Sequence, residues 1–348
     1  MRSTIAWKLL ALVAGLLLLT CELSGCAAPR APAGRCVPAA RAQAQPAPLP
    51  WWNEAGDPVL ARLVDSALTH DPRLRRQAAE LEAARAHSAQ WSYRLHAWLG
   101  GLLGYPVQDP RLRASRLAEA RQRKAQAVAL DYLKLRRLQA VLALGQQFQD
   151  QFRDNADIAR WRREAGLASA VDGGLAGAML GVNASALDAE RERLSAAVAT
   201  LAQACGMSGQ DLESVVDDGA GVPRLLAPPT DSLPHGDARA AARLAALQRV
   251  AAREEALRGV ERDALRNAAD ARAAYQLGTG GFAAVYAAEA SALAAREARV
   301  LLRAEAARAT VHLWALRQRE LDAVPGVVPG VPDPAPAAGA TAGECGHG

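Results

Sequence analysis

The stretch RREAGLASAVD, residues 162–172, decides the fold, because it separates two long helical patterns by only a few residues. Gly166 favours the left-handed backbone conformation that ends a helix. Ser169 is a preferred residue for starting one, and Asp172 completes the Ser-x-x-Asp pattern of a capping box. A helix end and a helix start this close together predict a tight antiparallel pair of helices.

A second break, YQLGTGGFAAVYAAEA at residues 275–290, has the same organisation. Gly278 takes the place of Gly166. Tyr275 takes the place of Arg163. We interpret the chain as a degenerate duplication of two long helical hairpins, each with a glycine turn at its end. The GTGG string does not indicate a phosphate-binding loop, because no strand pattern precedes it and no Lys-Ser/Thr pair follows.

Long helical patterns lead into and out of both turns. Residues 111–165 contain no proline and one internal glycine. Their apolar residues alternate between spacings of three and four, which is typical of a coiled-coil seam. The seam residues are Val128, Tyr132, Leu135, Leu138 and Leu142. The predicted fold is all-α, with long antiparallel coiled-coil hairpins in two degenerate repeats and at most one short β-hairpin near residues 91–105.

Shorter helices are predicted before the first hairpin. Asp57-Pro58 and Asp71-Pro72 each place a capping aspartate before a proline at the first helical position. Asp237 is expected to cap a further long helix. The predicted divisions are a signal peptide (1–25), a Pro/Ala-rich linker (26–56), a first helical repeat (57–205), a Pro-rich strap (206–236), a second helical repeat (237–322) and a disordered tail (323–348).

The N-terminus indicates export. Arg2 and Lys8 precede an unbroken apolar run at residues 9–19, which is shorter than the roughly 20 residues that cross a bilayer. A basic start and a short apolar run are typical of a secretory signal peptide. The alternative is a buried N-terminal helix.

The segment Leu23-Ser24-Gly25-Cys26 resembles the bacterial lipobox. That resemblance implies cleavage before Cys26, acylation of Cys26 with fatty acids such as palmitate, and anchoring in a membrane. Ala27, rather than Asp, favours the outer membrane by the usual sorting rule. The alternative is ordinary cleavage near Ala27 or Ala28, which gives a soluble periplasmic protein.

Other residue types limit the possible functions. Apart from the lipobox Cys26, three cysteines remain outside the predicted signal, Cys36, Cys205 and Cys345, without a CxxC pair. No disulfide framework is therefore expected, and Cys205 is expected in the core. Arginines that alternate with acidic residues, as in DAERERL, indicate a solvated helix face rather than a nucleic-acid surface. No His-Glu-x-x-His or Gly-x-Ser-x-Gly motif occurs. We therefore predict no enzyme activity, no metal and no cofactor.

Several stretches together resemble TolC-like outer-membrane efflux proteins of the lipoprotein (NodT) branch. They are residues 51–86, 129–144, 162–172, 192–206, 235–247 and 275–300. The resemblance implies a homotrimer that forms a periplasmic helical tunnel and whose helix turns meet a periplasmic adaptor and, through it, an inner-membrane pump. The turn residues that it implies as adaptor contacts are Arg163, Gly166, Leu167, Ser169, Asp172, Tyr275, Gly278, Gly281, Phe282 and Val285.

The sequence departs from that family in its strand segments. The family uses four barrel strands per chain, and such strands carry aromatic girdles. Aromatic residues are only 4% here, and residues 240–275 show a helical pattern without strand alternation. Residues 91–102 fit either a strand pair or a helix end with a loop. The alternative function is therefore a barrel-less, lipid-anchored periplasmic scaffold, or a decayed paralogue of the efflux channel.

Overall fold

The computed structural model describes residues 50–88, 110–216, 221–234 and 236–323, all within the unit Ala47–Gly348. In chain order the helices described are α1 (Trp51–Glu54), α2 (Pro58–His70), α3 (Pro72–Ser88), α4 (Pro110–Glu164), α5 (Ala170–Cys205), α6 (Gly209–Val215), α7 (Ala238–Gln276) and α8 (Phe282–Ala323). A single 3-10 turn, Thr230–Ser232, precedes α7. The predicted signal peptide, Cys26, residues 91–105 and the predicted tail from 324 onward lie outside the described residues.

The prediction of an all-α fold with long helical hairpins is confirmed, and the described residues contain no strand. Helix α4 has 55 residues, which at 1.5 Å per residue is a length of about 80 Å. It packs along α5, and α7 packs along α8. Helix α8 also packs along α4, so the two hairpins lie against each other. Within the described ranges, none of the helices has both the length and the apolar character needed to cross a membrane.

The short helices α2 and α3 begin as predicted. The Asp57 carboxylate accepts hydrogen bonds from the backbone amides of Val59 and Leu60. The Asp71 carboxylate does the same for the amides that open α3, and it forms an ion pair with Lys124 of α4 at 3.1 Å. Burial acts to raise the pKa of Asp71, but hydrogen bonds from Lys124 and from the backbone outweigh burial and lower it. The caps start both helices, and the ion pair joins α3 to the first hairpin.

The folded body begins earlier than the sequence predicts. Trp51 and Trp52 fall at the end of the predicted linker, yet they form α1 and are buried in the largest apolar cluster. The Trp51 indole donates to Gln122 Oε1 at 3.0 Å, and the Trp52 indole donates to Asp65 Oδ1 at 2.8 Å. The proline- and alanine-rich context does not predict this helix, because the tryptophans are held by tertiary contacts with α2 and α4.

The predicted strap contains a helix that the sequence analysis missed. Ser208 and Asp211 form a capping box that starts α6, and Leu212 is fully buried. Cys205, just before this helix, is a core residue as predicted. Its thiol lies 3.5 Å from the Leu63 carbonyl oxygen, and burial raises its pKa to about 11.

Charged residues form solvated faces, as in DAERERL, and also join α7 to α8. Glu289 is almost fully buried and pairs with Arg272. Glu254 pairs with Arg303 at 3.1 Å. Burial acts to raise the pKa of Glu254, but the hydrogen bond and charge of Arg303, with the charges of Arg224 and Arg258, lower it. Carboxylate–guanidinium pairs thus add to the apolar contacts between these two helices.

Candidate functional site: the paired helix turns

The first turn, residues 165–169, ends α4 and starts α5. Gly166 has φ 74°. Its amide donates to the Arg163 carbonyl oxygen at 3.0 Å, and the Leu167 amide donates to the Arg162 carbonyl oxygen at 2.7 Å. This pair of bonds is the Schellman motif. Ser169 then caps α5, and both hydrogen bonds of the capping box with Asp172 are present, as predicted.

The second turn, residues 277–281, ends α7 with the same motif. Gly278 has φ 80°. Its amide donates to the Tyr275 carbonyl oxygen at 3.1 Å, and the Thr279 amide donates to the Ala274 carbonyl oxygen at 2.9 Å. Helix α8 starts directly after Gly281, which has no side chain with which to cap it. The two turns therefore share the way they end a helix and differ in the way they start the next.

Arg162 joins the two turns. Its guanidinium donates to the Leu167 carbonyl oxygen of the first turn at 3.3 Å and to the Gln276 carbonyl oxygen beside the second at 3.2 Å. It also lies over the ring of Tyr275, 4.9 Å from the centroid. A planar cation with several donors is suited to bridging two carbonyl groups while it stacks on an aromatic face. The turns therefore form one surface within one chain.

A small aromatic cluster lies beneath the turns. Tyr275 and Phe282 pack edge to face, with ring centroids 5.3 Å apart, on Ala159 of α4 and Ala176 of α5. Burial raises the pKa of the Tyr275 hydroxyl, and the Asp172 carboxylate adds to that effect. The cluster fixes the second turn against the first hairpin through contacts between all four long helices.

Four apolar side chains around the turns face outward. Leu277 is 80% exposed and Leu167 is 66% exposed. Trp161 and Val171 are exposed as well. We call these four residues the apolar rim. Single exposed apolar residues are common on protein surfaces, but several around one turn pair are typical of an interaction site.

Comparison with known proteins identifies the fold. No protein-family profile and no curated protein sequence matches the chain. Solved structures do match. The chain has the fold of the TolC-like outer-membrane channels.

The match extends over most of each structure. The outer-membrane protein VceC of Vibrio cholerae aligns at TM-score 0.62 and 14% identity, over 77% of this chain and 99% of that chain. The CmeC outer-membrane channel of Campylobacter jejuni aligns at TM-score 0.61 and 10% identity, over 84% and 93%. The outer-membrane channel OprN aligns at TM-score 0.62 and 14% identity, over 77% and 92%. The predicted likeness to TolC-like proteins is thereby confirmed for the fold, and the lipoprotein branch stays a prediction.

The structure divides the predicted turn residues into two sets. Those at the surface are Arg163, Gly166, Leu167, Ser169, Gly278 and Gly281. Tyr275, Phe282 and Val285 are buried in the aromatic cluster, and Asp172 is half-buried in its capping box. In this chain the buried residues therefore position the turns, and the surface residues with the apolar rim are the ones that a partner can reach.

Sequence reasoning chose Arg163 and missed Arg162. The signal was present in the continuation of the coiled-coil seam. Buried residues of α4 follow the three-four spacing through Phe148, Phe152, Asn155 and Ala159, and the next position in that series is Arg162. Extension of the seam to the end of the helix would have placed Arg162 on the inner face. Within the described part of the chain, no cluster of His, Cys, Asp or Glu has the grouping of a metal site.

Proposed function

We propose that the protein is the outer-membrane component of a tripartite export system, anchored by a lipid on Cys26, with its long helices in the periplasm. The fold supports this proposal, because the similar structures are outer-membrane proteins and channels. Three copies of the chain would form the helical tunnel. The proposed role is transport, which needs neither a catalytic group nor a cofactor.

The pairing of the two turns is the observation on which the proposal rests most. Arg162 holds both turns in one surface, and the apolar rim surrounds it. We propose that a periplasmic adaptor docks on this surface and connects it to an inner-membrane pump. Buried aromatic residues beneath the surface keep it rigid, so little ordering is needed when the partner binds.

Site-directed photo-crosslinking tests the docking. A photoreactive amino acid at Leu167 or at Leu277 should crosslink to an adaptor subunit in cells, identified by mass spectrometry. The matched control is Val260, which is 54% exposed on α7 away from the turns and should give no such product. Equal crosslinking from position 260, or none from either turn, would contradict the docking and favour a lipid-anchored scaffold without transport.

Lipid labelling tests the anchor separately. With radiolabelled palmitate, the wild-type chain should carry label and fractionate with outer membranes, and Cys26→Ser should do neither. Cys36→Ser is the control and should behave as the wild type. Equal incorporation of label by the Cys26→Ser chain would contradict the lipid anchor, and it would not bear on the proposed docking of an adaptor.

A further inference from the structure

A basic cavity of about 520 Å³ opens between α4, α7 and α8. It lies near the first residue of α7, at the opposite end of that helix from the turns. Its size falls within the roughly 300–1,000 Å³ of small-molecule sites. The residues around it are three arginines, one histidine, one glutamine and four apolar side chains: Arg239, Arg243, Arg319, His312, Gln126, Ala242, Ala246, Ala315 and Leu316.

The positive charges of this cavity meet no counter-charge among the residues that the structure describes. Arg239 and Arg243 are four residues apart on α7, so they lie on one face of the helix. Arg319 approaches from α8. No described lining residue is acidic, and none of the three arginines forms an ion pair with a described residue. Positive charge in the first turns of a helix is also unfavourable to the helix dipole.

A second cavity between the same three helices shows the opposite arrangement. It has a volume of about 290 Å³ and is lined by Arg296 and Arg299. Both of these arginines pair with the buried carboxylate of Glu261, at 3.4 Å and 2.5 Å. In this second cavity, a carboxylate of α7 therefore balances the charge of the arginines on α8. The described lining of the basic cavity contains no carboxylate, so its charge is available to a ligand.

His312 adds a neutral donor to the basic cavity. The Gln126 amide lies 2.9 Å from His312 Nδ1, and donation to that nitrogen leaves the proton of a neutral ring on Nε2. Burial lowers the pKa of His312, and the charges of Arg243 and Arg308 lower it further. Burial and the neighbouring positive charges therefore both favour the neutral form of the imidazole.

We propose that the basic cavity binds a phosphate-bearing anion. Guanidinium groups bind phosphate oxygens through two parallel hydrogen bonds, and the three arginines approach the cavity from two helices. The apolar side chains of α7 and α8 offer a surface for hydrocarbon next to the charges. The anion is either a phospholipid headgroup or free phosphate, and both present the same chemistry to the arginines. The site is independent of Cys26 and of the turns.

Calorimetric titration of the purified protein tests this site. The probes are dihexanoyl phosphatidylglycerol below its micelle concentration and inorganic phosphate. We expect saturable binding of at least one probe, with affinity reduced about tenfold or more in the double variant Arg239→Gln/Arg243→Gln. The control is Arg253→Gln, an exposed arginine on the same helix without an ion pair among the described residues. Its affinity should equal that of the wild type.

The two probes distinguish the sources. Tighter binding of the lipid by about tenfold or more assigns the site to a headgroup, and equal binding assigns it to a free anion. If the double variant loses helix content by circular dichroism, Arg319→Gln on α8 replaces it with the same expectation. Absence of saturable binding of either probe, or an equal loss in Arg253→Gln, overturns the proposal.

Discussion

The two glycine turns end their helices with the same Schellman hydrogen bonds, yet different forces hold the helices that follow. The first turn starts α5 with the Ser169–Asp172 capping box, and Gly166 has open space around it. The second turn starts α8 without a side-chain cap. It is held instead by Tyr275 and Phe282, which are buried between α4, α5 and α7.

This difference shows that one fold can stabilise equivalent turns by local or by tertiary interactions. A capping box is complete within four residues and needs no other part of the chain. The aromatic cluster exists only when both hairpins pack together. The first turn therefore presents Leu167 and Val171 outward beside its local cap, while the second turn presents Leu277 and is held by the buried Tyr275 and Phe282 beside it.

The largest expected effect comes from the cluster of the second turn. Phe282→Ala removes a fully buried ring and should lower the free energy of unfolding by about 3–5 kcal/mol, because a cavity remains. Urea unfolding followed by circular dichroism measures this change. The control is Tyr286→Ala, one helical turn further on and exposed, for which the loss should stay below about 1 kcal/mol. Similar losses in both variants would contradict the conclusion that tertiary contacts stabilise this turn.

A smaller effect should be common to both turns. Gly166→Ala and Gly278→Ala each force a Cβ into the left-handed region, which costs about 1–2 kcal/mol. The control is Gly174→Ala in α5, where the added Cβ meets nothing within 4 Å. That change should stabilise the protein by about 0.5–1 kcal/mol. If all three variants shifted stability in the same direction, the shared Schellman geometry would be wrong.

Loss of the local cap should affect the first turn alone. Ser169→Ala removes the acceptor for the Asp172 amide and should cost about 1 kcal/mol. Hydrogen exchange should quicken in the first turn of α5 and stay unchanged in α8. Ser291→Ala is the control, because its hydroxyl only donates to the Ala287 carbonyl oxygen within α8. Faster exchange around Phe282 in the Ser169→Ala chain would show that the turns are not stabilised separately.

The smallest effect is expected when the second turn is given the capping serine that the first turn already has. Gly281→Ser supplies a capping hydroxyl at a position where the added Cβ meets nothing within 4 Å. The gain should be only a few tenths of a kcal/mol, because glycine is itself a tolerated cap residue. The melting temperature measures it. A destabilised protein would show that Gly281 is needed for a reason other than the missing side chain.

Much of the helical framework could be predicted from the sequence because its signals are local. Asp57, Asp71, Ser169 and Asp237 each cap the helix that the sequence assigns to them. A short polar side chain before a helix and a glycine after one act on backbone groups within a few residues. Such signals are therefore readable without knowledge of what packs against the helix.

Tertiary structure decided which of two neighbouring residues acts at the turns. Arg162 and Arg163 are identical in type and adjacent in sequence, but consecutive residues point about 100° apart around a helix. Only Arg162 faces Tyr275 and the second turn. The burial of Trp51 and Trp52 also depends on tertiary packing, since they contact α2 through Asp65 and α4 through Gln122.

The sequence by itself determined where helices start and stop and which residues repeat along one face. Only the tertiary structure decided which charges are matched between helices. Arg296 and Arg299 meet Glu261, whereas Arg239 and Arg243 meet no carboxylate among the described residues. The sequence surrounds all four arginines with the same alanine-rich pattern. Helix caps depend on neighbours along the chain, but the pairing of charges depends on the rotation and offset of two helices, which packing alone fixes.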